Sequence, residues 1–169
     1  DRVGEEGIVA FVTNNSFVGD FSFDGMRKHL TSDFDAIYVL DLGGNVRKNP
    51  KLSGTTHNVF GIQVGVAISL LIKRKGKQPR QARIHYARVD EFWRKEQKYR
   101  FLDDHEAGSK IEWKEVKPDK HFNWLTEGMS EDFESFLPLG TKQAKADEKA
   151  DVHTIFKSFS TGVKTNRDP

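Results

Sequence analysis

Apolar and polar positions alternate in blocks along the first half of the chain, and the blocks define elements. Ile8 to Val12 is a continuous apolar run after Glu5-Glu6, and it ends abruptly in Thr13-Asn14-Asn15-Ser16. Such a run predicts a strand buried on both faces, as in a parallel sheet. Across Phe23 to Phe34, Met26, Leu30 and Phe34 recur at four-residue spacing, which predicts a helix with one apolar face. Ala36 to Leu42 reads as a second strand, closed by Gly43-Gly44-Asn45, and Val64 to Ile72 as a third, flanked by Lys73, Arg74 and Lys75. Strand, helix and strand imply a parallel crossover. The third strand follows a loop without helical pattern, so it is expected to insert antiparallel beside the second.

The second half is less regular. Ala82 to Val89 alternates Ile84 and Tyr86 with charged residues, as an edge strand does, and Asp90 opens a helical stretch, DEFWRKEQKYRFLDD. Ile111 to Leu125 carries Trp113, Phe122 and Trp124 among charges, the pattern of a peripheral strand or packed loop. Gly140 to Asp151 has no large apolar residue and reads as a linker. Aromatic character returns in HTIFKSFSTGVKTNRDP. No internal repeat is evident.

Composition narrows the classes. The chain has 169 residues, 36% hydrophobic and 31% charged, enough for one domain with an appendage. It has no cysteine, which excludes disulfides, thiolate metal sites and a cysteine nucleophile. The longest apolar run is too short to span a bilayer, so no membrane association is expected and a cytoplasmic protein is the default. The absence of an initial methionine suggests a piece of something longer.

The net charge of +2 predicts little, but its distribution predicts more. Arg47, Lys48, Lys51, Lys73, Arg74, Lys75, Lys77, Arg80 and Arg83 fall in a stretch, Arg47 to Arg88, that contains no Asp or Glu. Folded to one side, these cations would form a phosphate-tracking surface; scattered, they are a solvated rim. None of the six histidines has a partner at metal-ligand spacing, so no metal is expected. His57 alone falls where a crevice at strand ends is expected, either orienting a ligand or hydrogen-bonded within its loop. Gly43-Gly44 lacks the G-x-G-x-x-G spacing, so a tight turn is favoured over a phosphate cradle. Ser16 and Ser53 lack a nucleophile-elbow context. Phe60, between a polar loop and an apolar strand and followed by Gly61, is either a core residue or a ring able to stack on a base.

The segments VAFVTNNSF, FDGMRKHL, IYVLDLGGNVRKNP and GTTHNVFGIQVGVAI resemble, in order, the downstream motifs of amino-methylating DNA adenine methyltransferases. The likeness is to the methylase region of single-polypeptide, Type I-like (Type ISP) restriction-modification enzymes. IFKSFSTGVKTNRD resembles the start of their target-recognition region. The resemblance implies the C-terminal half of a Rossmann-like methyltransferase sheet, its last strand antiparallel, with an irregular α+β extension. It divides the chain into residues 1–80 (methyltransferase half), 81–139 (connecting α+β region), 140–151 (linker) and 152–169 (start of recognition).

The implied reaction moves a methyl group from S-adenosylmethionine to the amine of a flipped adenine. Phe60 matches the position that stacks on that base. Asn14, Asn15 and His57 would face the same crevice, with Arg47, Lys48, Lys51, Lys73, Arg74, Lys164 and Arg167 on the DNA side. The family's glycine-rich cofactor motif is absent, and Asn49-Pro50 is followed by Lys51 rather than by proline and an aromatic. No catalytic residue is therefore assigned, and the chain is expected to be inactive alone and to bind no cofactor by itself. Its expected partners are DNA and the upstream half of the domain, or a second copy through an exposed sheet edge. A free-standing DNA-binding module and a structural remnant that packs on a partner are the alternatives.

Overall fold

The computed structural model describes residues 3–49, 51–52, 54–76, 81–106, 108, 110–126, 137–141, 143, 146 and 153–156. The chain forms two compact units, Asp1–Thr126 and Glu127–Pro169. Lys164 and Arg167, assigned above to DNA, lie outside the described residues, as do Lys77 and Arg80.

The first unit is built on one five-stranded sheet. Its strands are β1 (Gly7–Asn14), β2 (Ala36–Gly43), β3 (Val66–Lys73), β4 (Arg83–Arg88) and β5 (Lys114–Val116), in spatial order β1-β3-β2-β4-β5. β3 is antiparallel to both β1 and β2, whereas β2 and β4 are parallel and β5 returns antiparallel to β4. Thus β1, β2 and β4 run one way, and the third strand is reversed beside the second, as its helix-free connection predicts. Helices α1 (Ser16–Gly19) and α2 (Asp24–Asp33) join β1 to β2, and α3 (Lys95–Asp104) follows β4.

Three expectations are corrected. β1 is not buried on both faces: it pairs only with β3, and its burial alternates, with Val9 and Phe11 half-buried and Ile8 and Val12 exposed. A strand with one neighbour and one covered face buries every second side chain. β4 is no edge strand, because β5 covers its outer side. The third helix starts at Lys95 and not at Asp90: Arg94 takes the N-cap position, its N–H donating to Gln97 Oε1 at 3.0 Å. Asp90 instead holds the preceding turn, accepting the Phe92 N–H at 2.8 Å.

Helix α2 also turns a different stripe inward. Met26 is 41% exposed, while Arg27 and Thr31 are buried and Leu30 and Phe34 pack against the core. A buried guanidinium is tolerable only when its donors are matched. Here Arg27 donates to the carbonyls of Phe122, Phe17 and Asp20 and to Asn123 Oδ1, all within 2.6–2.8 Å. Burial lowers its pKa, opposed by Asp24, Asp119 and Asp20.

Two cores flank the sheet. Phe17, Val18, Ile37, Val39, Ala67, Leu71, Ile84 and Trp124 form the first, with Trp124 edge-on to Phe17 at 6.1 Å. Leu40, Leu42, Val59, Val66 and Val89 form the second, with Trp93, Phe101, Leu102 and Trp113 packed on it. Each fully buried aliphatic contributes roughly 1.5–3 kcal/mol, so the central strands anchor everything attached to their ends. In the second unit, the Ile155 and Phe156 N–H groups donate to the carbonyls of Pro138 and Leu139 at 3.0 and 2.7 Å. Among the described residues no helix is long and apolar enough to cross a membrane.

Candidate base-binding crevice

The C-terminal ends of β1, β2 and β4 meet at one end of the sheet, beside the start of β3, where Val66 pairs with Asn14 and Gly43. The long loop from Gly44 to Gly65 leaves from and returns to that same end. In sheets with parallel strands this end is where ligands bind, because chain segments diverge there and leave a crevice.

Asp41 is the hub of the crevice floor. Its side chain is 5% exposed, and it accepts from three directions. Oδ1 takes the Asn15 amide at 2.9 Å and the Gly43 N–H at 2.8 Å, and Oδ2 takes the Tyr86 hydroxyl at 2.9 Å. Arg88 Nε stands 3.9 Å from Oδ2. The ends of β1, β2 and β4 are thereby tied to one carboxylate. A register irregularity between Asp41 and Gly43, with Gly43 at φ +59°, turns the chain out of the strand. Gly44, at φ +81°, allows a closer approach still: a Cβ there would lie 2.6 Å from the His57 carbonyl oxygen.

Beyond the glycines, the buried Asn58 organises the loop from within. Its Nδ2 donates to the carbonyls of Val64 at 2.6 Å and Gly44 at 3.3 Å, and its Oδ1 accepts the Phe60 N–H at 2.9 Å. Gly61 at φ +66° completes the turn. Phe60 is presented outward with 63% of its surface exposed. Within this chain the ring is therefore not part of either core. Phe21, Ile62 and Phe92 are exposed as well, on segments attached to the same end of the sheet.

The other crevice residues take supporting positions. Asn15 commits its amide nitrogen to Asp41, its N–H donates to the Gly65 carbonyl at 2.9 Å, and its side chain covers Gly65. Asn14 Oδ1 accepts the Ser16 N–H at 3.1 Å, closing the turn after β1. His57 is a hydrogen-bonded loop histidine: its Nδ1 lies 3.3 Å from the Trp93 carbonyl.

The basic residues divide. Arg47, Lys48 and Lys51 lie on the crevice loop; Lys48 pairs with Asp20, and Arg47 Nε donates weakly to Gln63 at 3.4 Å. Lys73 and Arg74 sit at the far end of β3, opposite the starts of β1 and β2, a strand length of roughly 25 Å away. They line a concavity of about 550 Å³ with Glu5, Asp33, Asp35 and Lys75. Arg74 N–H donates to Asp35 Oδ2 at 2.6 Å, and Lys75 pairs with Glu5 at 3.6 Å. Among the described residues, these cations thus fall in two groups at opposite ends of the sheet.

Asp41, Asn58, Lys98 and Tyr99 escaped the sequence reading. Asp41 left a signal, as the one charge inside AIYVLDL. Lys98 is fully buried, and burial lowers its pKa, with Asp41 opposing and Arg88 reinforcing the shift. It sits within an ordinary amphipathic charge pattern, and nothing along the chain marks it.

No family model matches the chain, and no curated protein matches it. Solved structures do. The cryo-EM structure of a DrdV–DNA complex contains a segment 38% identical to this chain, with a TM-score of 0.80; the match covers 99% of this chain and 16% of that one. The ATP-dependent Type ISP restriction-modification enzyme LlaBIII bound to DNA matches at 32% identity and a TM-score of 0.69, over 85% of this chain and 10% of that one. A nuclease-deletion mutant of the Type ISP enzyme LlaGI, in complex with a DNA substrate mimic, matches at 26% identity and 0.73, over 83% and 13%. The chain is thus related in sequence and fold to a segment of Type ISP restriction-modification enzymes, and spans a small part of their length.

Proposed function

We propose that this chain is the downstream part of an S-adenosylmethionine-dependent DNA adenine methyltransferase domain within a restriction-modification enzyme. Its role is to form the base-facing wall of the crevice, with Phe60 stacking on an adenine flipped out of the duplex. The observation that carries this reading is Phe60 itself, exposed on a turn pinned by Asn58 at the carboxyl ends of the parallel strands. Stacking of an unpaired base on such a ring is worth about 1–3 kcal/mol. Further support comes from the related enzymes, all solved with DNA or a DNA mimic. Arg47 and Lys51, exposed on the same loop, are the cations suited to phosphate contact.

The methyl donor is assigned to residues other than these. The glycine turn after β2 is filled by the His57 carbonyl and Asn58, and it leads into turns rather than a helix whose N-terminus would face a ligand. Cofactor and amine-directed acceptors are accordingly assigned to the upstream half of the domain, and the chain alone is inactive. Among the described residues the outer edge of β1 has no strand beside it, which an adjoining part of the sheet would pair, and Ile8, Val12 and the neighbouring Leu70 are exposed on one face of the same strands.

The test is Phe60→Ala in the full-length enzyme. Methylation of adenine-containing duplex is expected to fall roughly 5- to 150-fold, the range that corresponds to the lost stacking, with the melting temperature unchanged. Undiminished methylation, or a melting temperature lowered by several degrees, would refute the reading.

A further inference from the structure

An exposed ring is not fixed by packing, so the position of Phe60 is set by the backbone from Thr56 to Gly61. That backbone is held from the inside by Asn58, and from the outside by helix α3. Three donors of α3 reach three of its carbonyls. The Lys95 N–H donates to Thr56 at 2.9 Å, Lys98 Nζ to His57 at 2.6 Å, and the Tyr99 hydroxyl to Val59 at 2.5 Å. The carbonyl between them, that of Asn58, accepts the Gly61 N–H at 3.1 Å. Just ahead of α3, the Trp93 carbonyl meets His57 Nδ1.

Lys98 is costly where it is. Its side chain is fully buried, with the His57 carbonyl as its hydrogen-bond acceptor, and a methionine would fill the same space without desolvating a charge. The Tyr99 ring, by contrast, is 45% exposed, so it adds little to the core, and its hydroxyl is the part that binds the loop. Both side chains spend their polar groups on the two carbonyls that bracket Asn58.

We propose that Lys98 and Tyr99 are positioning residues, which clamp the carbonyls of His57 and Val59 so that Phe60 is preorganised for base stacking. The proposal rests on the stacking role given to Phe60 above. A ring held in place loses less freedom on capture of a base than one on a loose loop.

The experiment compares purified wild-type protein with Tyr99→Phe, Lys98→Met, Lys98→Arg and Phe60→Ala. One readout is amide hydrogen exchange. The other is fluorescence titration, at fixed salt, with a duplex carrying a single unpaired 2-aminopurine and with its fully paired counterpart. For Tyr99→Phe and Lys98→Met, exchange at Phe60 and Gly61 is expected to accelerate about three- to tenfold, while β2 and β3 keep their protection. Their Kd for the unpaired-base duplex is expected to rise by a similar factor, with paired-duplex affinity unchanged and Lys98→Arg close to wild type.

Unchanged loop exchange in both variants would overturn the clamp, whatever the DNA data show. Faster exchange with undiminished 2-aminopurine binding, where Phe60→Ala abolishes that binding, would overturn the positioning role. If Phe60→Ala itself leaves 2-aminopurine binding intact, the stacking reading fails, and exchange alone then judges the clamp. Should Lys98→Met also deprotect β2, Tyr99→Phe, which removes a single oxygen from a half-exposed ring, decides the question.

Discussion

Replacing Asp41 tests whether one buried carboxylate organises the crevice floor. In the folded protein it accepts from Asn15 at 2.9 Å, from the Gly43 N–H at 2.8 Å and from Tyr86 at 2.9 Å, with Arg88 Nε 3.9 Å away. Hydrogen bonds to a charged acceptor are worth about 1.5–3 kcal/mol each, so three give a gross loss of roughly 4.5–9 kcal/mol in Asp41→Ala. Releasing the carboxylate from a desolvated site returns several kcal/mol, which leaves a net cost of about 3–5 kcal/mol. That is a large share of the ~5–15 kcal/mol that holds a typical domain together.

Asp41→Asn separates charge from geometry. Its single oxygen can keep the Asn15 and Gly43 donors, and its new amide can donate to the Tyr86 oxygen. Arg88, however, keeps only Glu91 as a paired anion, at 3.4 Å, and the buried Lys98 loses the attraction that opposes its desolvation. A cost of about 1–2 kcal/mol is expected. The assay is urea unfolding followed by the fluorescence of Trp93, Trp113 and Trp124. The midpoint of Asp41→Ala should move down by roughly 2 M with an unchanged slope, and that of Asp41→Asn by less than half as much. A cost below about 1 kcal/mol for Asp41→Ala would refute the reasoning, since desolvation would then cancel the whole network. Equal costs for the two variants would show that charge alone carries it.

Two further predictions concern the loop ends. Gly44→Ala should destabilise the protein by at least ~1–3 kcal/mol in the same assay, because φ is +81° and the new Cβ would press on the His57 carbonyl and Asn58; a neutral result would mean that the loop shifts freely. At acid pH, Asp119 should contribute through linkage: burial pushes its carboxyl up, but hydrogen bonds from Asn123 and His121 outweigh this and hold it below its ordinary value of 3.8. A depressed carboxylate stabilises the folded state above 3.8 and ceases to do so as pH falls through its folded pKa. The stability difference between wild type and Asp119→Asn should therefore shrink on going from neutral pH to pH values below about 4, and a difference independent of pH would contradict this.

The chain's own pattern was enough to determine the central elements. Apolar runs at Ala36 to Leu42 and Val64 to Ile72 mark β2 and β3, because strands at the middle of a sheet are covered on both faces. The helix-free loop between them predicts the antiparallel return. The same loop, polar up to Phe60 and then apolar, leaves from and returns to the carboxyl ends of the parallel strands, the end proposed above as the crevice. That the Phe60 ring is exposed appears only in three dimensions, since exposure of a ring depends on whether another segment crosses it. Likewise β1 carries an apolar run as continuous as that of β2, yet lies at an edge: hydrophobicity records that a face is to be covered, not by which neighbour.

Charge was least legible. Arg47 and Lys73 belong to one acid-free stretch, but an eight-residue strand carries them to opposite ends of the sheet. Arg27 and Lys98 look like solvated helix charges, yet both are buried against carbonyls, those of Phe17, Asp20 and Phe122 for Arg27 and that of His57 for Lys98, which lie outside their own helices. Local pattern fixes which residues can form strands and helices, through propensity and periodicity. Which donor reaches which carbonyl is settled by long-range packing, and the geometry of the crevice is made of such contacts.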